Sequence, residues 1–225
     1  MKTETFCYPH PHPAVTTDVV LFTILGQRLK ILLIKRAGEP FAGSWALPGG
    51  FLEIDEDLDA CAQRELQEET GIRDVYVEQL YTFGRPDRDP RERVISVVYY
   101  ALVPAERLNP QPGSDATATG WFALEALPNL AFDHREVIAM AHRRLVAKLD
   151  YSTIAFHFLP ETFTLGELQQ VYETLRGEAV DKRNFRKWVL ALSQIEATGE
   201  LRRSGVHRPA RVYRLNNREQ VEILR

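Results

Sequence analysis

Glu56, Arg64, Glu65, Glu68 and Glu69 lie at fixed offsets behind the pair Gly49-Gly50, within GGFLEIDEDLDACAQRELQEETGI. At about 100° per residue, Ile54, Leu58, Cys61, Ala62 and Leu66 form the apolar stripe of a helix expected from about 55 to 70. Glu65 and Glu69 project within that stripe and Glu68 lies at its flank, while Asp59, Gln63 and Gln67 take the opposite face. A merely solvated acidic helix would group its glutamates with those glutamines. Ionised carboxylates turned inward are costly unless paired or bound to metal, and Arg64 is the only cation on the helix. The arrangement therefore argues for divalent cations. Carboxylate oxygens are hard donors, suited to Mg²⁺ or Mn²⁺ rather than zinc, and Mg²⁺ commonly shares its sphere with substrate phosphates. The matching chemistry is attack of metal-activated water on a diphosphate. Gly49 and Gly50 would let backbone approach that centre, which places Gly49 beside Glu65, Glu68 and Glu69 as a candidate metal contact.

Elements that position these residues can be read on both sides. AVTTDVVLFTIL and RLKILLIKR are β-branched strands around Gly26-Gln27, a hairpin signal. GSWALPGGFLEID is a Gly/Pro-punctuated loop, with Asp55 or Asp57 as candidate helix N-cap and Gly71 at its end. VYVEQLYTFG and RVISVVYYALV are further strands joined by the polar loop RPDRDPRER. A short strand in TGWFALEALP precedes DHREVIAMAHRRLVAKL, an amphipathic helix. Strands with two helices between and after them predict an α/β or α+β sandwich over residues 1–150.

A second module is expected over 151–225. Thr164-x-x-Glu167 is a capping box opening one helix. DKRNFRKWVLALSQIEATG reads as a second helix from Asp181 to Gly199. ELRRSGVHRPARVYRL reads as two short strands around a basic turn. That order is a winged helix-turn-helix. Charge supports the division. Of a net −3, residues 1–150 contribute −6 and residues 151–225 contribute +3, with 11 basic against 4 acidic residues in 176–218. A basic module suggests a nucleic-acid partner. Lys182, Arg183, Asn184, Arg186 and Lys187 fall in the first turns of the second helix, where Arg suits guanine and Asn adenine in a major groove. Arg202, Arg203, His207, Arg208 and Arg211 decorate the wing, placed for phosphate or minor-groove contacts. The plainer alternative is a charged dimerisation appendage.

Cys7 and Cys61 are too few for a disulfide framework. No apolar run approaches the roughly 18 residues of a membrane span, and the first residues lack the order of a signal peptide. The cytoplasm is the expected location, with no membrane partner.

Gly50, Glu56 after five residues, and Arg64-Glu65-Leu66-Gln67-Glu68-Glu69-Thr70-Gly71-Ile72 after seven more resemble the Nudix box, Gx5Ex7REUxEExGU, at every defined position. The resemblance implies a Nudix α/β/α sandwich with Glu65, Glu68 and Glu69 as metal ligands, Glu56 as an auxiliary acid and Arg64 orienting the glutamates. RPDRDPRERVISVVYYALV, GWFALEALPNLAFDHREVI and the C-terminal module extend the likeness. The chain resembles the NrtR group, Nudix-related transcriptional regulators of NAD metabolism that fuse a Nudix domain to a winged helix. That resemblance implies ADP-ribose or a close NAD-derived nucleotide as ligand and binding to operator DNA as a homodimer. Some members have degraded boxes and only sense the nucleotide. This chain keeps every catalytic-type glutamate, so hydrolysis to AMP and ribose 5-phosphate is expected.

Outside the box the signals are thinner. Arg36, Arg85, Arg88, Arg91 and Arg93 suit a diphosphate, with loop solvation as the alternative for each. Phe83, Tyr81 and Trp45 could stack on adenine, or be core. Asp115, Asp133 and His134 are candidates for a general base. Two other readings stand beside the regulator: a housekeeping ADP-ribose diphosphatase whose tail serves oligomerisation, and a nucleotide sensor without turnover.

Overall fold

Val19, Val20, Leu21 and Phe22 are all fully buried, as a strand covered on both faces requires. They belong to β1 (Ala14–Leu25), the middle of a mixed sheet. The computed structural model describes residues 9–73, 75–108, 116–203 and 208–224. The hairpin from β1 to β2 (Arg28–Arg36) turns at Gly26 and Gln27 with φ of 59° and 60°, the left-handed pair that matches strand twist. β3 (Trp45–Ala46) pairs with β2, and β4 (Gly49–Phe51) pairs with the first half of β1. After α1 (Leu58–Thr70), β5 (Tyr76–Phe83) pairs with β6 (Val94–Leu102), which runs parallel to β1. β7 (Ala116–Ala123) pairs with β2 and leads to α2 (His134–Lys148).

Alternating side chains build two cores. Val20, Phe22, Ile31, Leu33, Val98 and Tyr100 meet Val137, Ile138, Ala141 and Leu145 of α2. Val19, Leu21, Leu32, Val97 and Tyr99 meet Ala62 and Leu66 of α1 on the other face. Each fully buried aliphatic side chain contributes about 1.5–3 kcal/mol. The result is the expected α/β/α sandwich.

A Ser152-capped 3-10 turn, Thr153–Phe158, leads into β8 (Thr162–Thr164), α3 (Leu165–Arg176), α4 (Lys182–Leu190), β9 (Ile195–Arg202) and β10 (Ala210–Leu215). This is the winged-helix order, with a sheet ordered β8-β10-β9. Thr164 and Glu167 form the capping box of α3. Phe156, Phe163, Leu168 and Tyr172 continue the α2-side core into this module without a break. Among the described residues no helix is long and apolar enough to cross a membrane.

Two expectations are corrected. The box helix begins at Leu58 with Asp57 as N-cap, so Ile54 precedes it and is 75% exposed rather than part of the stripe. The helix expected through Gly199 stops at Leu190, and β9 starts at Ile195. Ile195 and Ala197 pair with Leu215 and Tyr213 of β10, and Gly199 has φ of 84°, which a right-handed helix cannot contain. Cross-strand pairing overrides the helical pattern of 191–199.

Candidate functional site

The carboxylates are fixed by how α1 is capped and where β4 passes. Asp57 accepts the N–H of Ala60, and Gly71, with φ of 72°, returns its N–H to Gln67. Between those ends Glu65 and Glu69 are only 9% and 8% exposed, while Glu68 is exposed. Glu69 Oε2 accepts the Gly49 N–H at 2.8 Å. Arg64 gathers the rest. Its Nε and Nη2 each reach one Glu56 oxygen at 2.8 Å, and its Nη1 reaches Glu65 at 2.7 Å and Glu68 at 3.2 Å. It also donates to the Phe51 carbonyl of β4 at 3.2 Å. The Arg64 hydrogen bonds hold the Glu56 carboxyl down to about 2. Burial pushes Glu65 up against the pull of Arg64. Cys61, hydrogen-bonded with Thr17, is raised by burial to about 11, an inert thiol.

Donors facing Gly49 and Gly50 are all oxygens. Glu65 and Glu69 are partly desolvated, and the missing side chain of Gly50 leaves the space that the Glu65 carboxylate fills. That chemistry fits a hard divalent cation, the class of metal that Nudix hydrolases use. Among the described residues no three His, Cys, Asp or Glu side chains converge to hold an ion by themselves. The donor set suits a cation that also takes backbone carbonyl, water and ligand phosphate oxygens.

Beside the box opens a cleft of about 520 Å³ lined by Asp18, Arg36, Gly49, Gly50, Phe51, Glu69, Arg88, Asp89, Arg91, Phe132 and His134. The Arg36 guanidinium lies 5.0 Å from the Phe132 ring centre, and that of Arg91 lies 5.4 Å from Phe51 and 5.9 Å from Phe132. Burial, then the charge of Arg91, lowers the pKa of Arg36. Asp89 holds Arg91 through both carboxylate oxygens. Two guanidiniums over two aromatic rings make a wall suited to phosphate charge and a flat base.

The floor is an ionic network. Asp133 binds Arg88 through two bonds of 2.8 and 3.1 Å, and Arg88 Nη2 lies 3.7 Å from Asp18. Asp18 accepts from the Ser96 hydroxyl. His134 Nδ1 accepts the Leu47 N–H at 2.9 Å and its Nε2 lies 3.6 Å from Asp18. Burial lowers the His134 pKa and keeps the ring neutral.

Sequence-derived candidates divide accordingly. Gly49, Glu69, Arg36 and Arg88 line the cleft, and Glu56, Arg64, Glu65 and Glu68 form the adjoining cluster. Arg88 is turned into the floor by Asp133 rather than toward a ligand. Arg85 is exposed, pairing with Glu136 and Asp87 away from the cleft. Arg93 donates to the Arg85 and Val94 carbonyls. Phe83 packs against the core and edge-on to Tyr81, and Trp45 packs on Phe122. Of the candidate bases, Asp133 is engaged by Arg88, His134 by Leu47, and Asp115 lies outside the described residues. The sequence reading missed Asp18, Phe51 and Phe132. Asp18 had a signal, as the only charged residue in AVTTDVVLFTIL. Phe132, held at a φ of 52°, had none.

On the second module, Lys182, Arg183, Asn184, Arg186 and Lys187 are all exposed, while Phe185 and Val189 on the other side of α4 are buried. Asp181 caps the helix by accepting the Asn184 N–H at 2.7 Å. A groove of about 400 Å³ brings Lys182 and Arg186 together with Arg208, Arg211 and the first turn of α3. Arg203 is exposed just past β9. Arg202 instead bonds Glu167 and Thr162 at the root of the wing. His207 lies outside the described residues.

The NUDIX domain model matches residues 13–141, and the NrtR DNA-binding winged helix domain model matches residues 155–215. The chain is 38% identical over 209 residues to the ADPR responsive transcriptional repressor NtrR of Acinetobacter baylyi, covering 91% of this chain and 83% of that one. It is 44% identical over 127 residues to the ADP-ribose pyrophosphatase of Methanocaldococcus jannaschii, covering 56% of this chain and 72% of that one. The crystal structure of Shewanella oneidensis NrtR complexed with a 27mer DNA superposes with a TM-score of 0.80 at 38% identity, over 89% of this chain and 93% of that one.

Proposed function

The chain belongs to the Nudix family and carries an NrtR-type winged helix, and from that premise we propose that it is a transcriptional repressor of NAD metabolism governed by ADP-ribose or a related nucleotide. The nucleotide binds the cleft beside the box, and operator DNA binds the α4 face and wing of a homodimer in the cytoplasm. The observation that carries this reading is the pairing of a cleft lined by Glu69, with Glu56, Glu65 and Glu68 clustered on Arg64 beside it, with the basic groove of Lys182, Arg186, Arg208 and Arg211. Relatives with both modules include a repressor named for its response to ADPR and a protein crystallised on DNA.

When bound, Mg²⁺ or Mn²⁺ polarises the phosphoryl oxygens and activates water for hydrolysis to AMP and ribose 5-phosphate. Glu65, Glu68, Glu69 and the Gly49 backbone would hold it. Arg64 holds the Glu56 carboxyl ionised and fixes Glu65 in place through a 2.7 Å bond. Glu69 locks the Gly49 turn. Arg36 and Arg91 meet the diphosphate charge, with Phe132 and Phe51 offering flat faces. On DNA, Arg183, Asn184 and Arg186 face base edges, while Lys182, Lys187, Arg203, Arg208 and Arg211 meet phosphates. The nucleotide relieves repression only by binding two arrangements of the modules unequally.

The experiment is one titration of ADP-ribose into protein bound to its own upstream DNA at low salt, following AMP formation and DNA release together. The expected result is Mg²⁺-dependent AMP, abolished in Glu68→Gln and Glu69→Gln, with loss of DNA retention. Absence of any DNA shift alongside AMP release leaves the housekeeping diphosphatase, which the complete box favours. DNA release without AMP leaves a sensor that does not turn over.

A further inference from the structure

A second cleft, about 740 Å³, opens where the end of β6 and the 3-10 turn Ala105–Arg107 face the winged-helix module, and the reading above makes no use of it. Arg107 lines it from one side and Arg218 from the other. Arg218 is held rigidly: its Nη2 donates to the carbonyls of Phe156 at 3.0 Å and Leu159 at 2.5 Å. Those partners are neutral, so they orient the guanidinium without cancelling its charge. Burial and the neighbouring charge of Arg107 both lower its pKa, with Glu161 opposing them. His157 belongs to the same lining, 5% exposed and packed on the Tyr76 ring at 4.7 Å, with a buried Nε2 that has no hydrogen-bond partner among the described residues. Buried polar atoms without partners are rare and mark places where a ligand or water belongs.

Two guanidiniums lining one space form an oxyanion-binding arrangement, and the guanidinium fork matches phosphate geometry. Glu106, Glu161 and Glu219 border the same cleft, and its third arginine, Arg214, is paired with Glu196, so the site disfavours an extended polyanion such as DNA, and Arg107 and Arg218 meet a compact one. Its volume lies within the range of small-molecule sites. We propose that this cleft binds a phosphate monoester, held between Arg107 and Arg218. Because the two arginines come from different modules, the bound anion ties the sheet to the winged helix.

The test is isothermal titration of the full chain with inorganic phosphate, AMP and ribose 5-phosphate. It compares wild type with Arg107→Glu, Arg218→Lys and, to disable the box cleft, Arg36→Ala. Arg107 is exposed, so its substitution leaves the fold intact, checked by an unchanged Tm. The expected result is binding that survives Arg36→Ala and weakens roughly tenfold or more in Arg107→Glu. Inorganic phosphate alone would identify a free anion as occupant, and tighter AMP or ribose 5-phosphate a phosphorylated metabolite. Both outcomes support the site. No phosphate binding in wild type, or binding lost in Arg36→Ala and intact in Arg107→Glu and Arg218→Lys, overturns it. The first overturning outcome leaves DNA and ADP-ribose binding untouched, and the second puts the phosphate ligands in the box cleft, where the proposed function expects them, so the two readings fail separately.

Discussion

The carboxylate of Glu65 occupies the space where a side chain on Gly50 would begin: a Cβ there would stand 2.3 Å from Glu65 Oε1. The glycine is thus required by the position of the acid, and the near atom is the free end of a flexible side chain. Gly50→Ala should therefore fold almost normally while swinging Glu65 away. Hydrolysis should fall on the order of 100-fold, since a misplacement of about 1 Å costs that much, with Tm and DNA binding near wild type. Wild-type turnover in Gly50→Ala would show that Glu65 need not lie there.

Gly49→Ala should behave differently. Its Cβ would meet backbone, at 2.2 Å from the Thr17 carbonyl oxygen, and its φ is 156°. Strain and overpacking together should cost roughly 2–5 kcal/mol, read as a lowered urea midpoint.

Arg88→Met leaves Asp133 and Asp18 buried without their cation. Breaking such a pair costs roughly 3–5 kcal/mol. Arg85→Met, which removes only exposed pairs, should stay within about 1 kcal/mol. Equal losses in the two variants would refute the strut assigned to Arg88.

Acid should weaken the fold through His157. Burial lowers its pKa to about 4, so below its unfolded value of about 6.5 the unfolded chain binds the extra proton. Stability from the neutral ring is complete above that value and is lost as pH falls toward 4. Between pH 7 and 4.5 this amounts to roughly 2–3 kcal/mol. His157→Phe should flatten urea midpoints across that window, and a profile parallel to wild type would contradict the assignment.

Arg186→Ala should weaken operator binding. As a base contact its loss should relax sequence preference, whereas a salt slope reduced by about 1 with equal loss on all sequences would make it a phosphate contact instead. Retention on DNA indistinguishable from wild type would remove the groove of Lys182, Arg186, Arg208 and Arg211 from the interface.

Much of this molecule was legible in one dimension because the relevant forces are local. Helical periodicity put Glu65 and Glu69 on the inward face, and Asp57, Gly71, Thr164 and Glu167 cap through bonds to residues close in sequence. The exposed cations of α4 follow the same short-range logic. The strand at 195–202 did not, because its helical pattern yields to pairing with β10 across the wing.

What only the tertiary structure decided is where distant charges and rings meet. Arg88 finds Asp133 45 residues away, and Ser96 reaches Asp18 across 78 residues only because β6 runs parallel beside β1. Arg36, Arg91 and Phe132 form one wall although they come from three separate segments. Residue spacing encodes the face of a helix, since each residue turns by a constant angle. It does not encode the partner of a buried charge, which depends on sheet order and register.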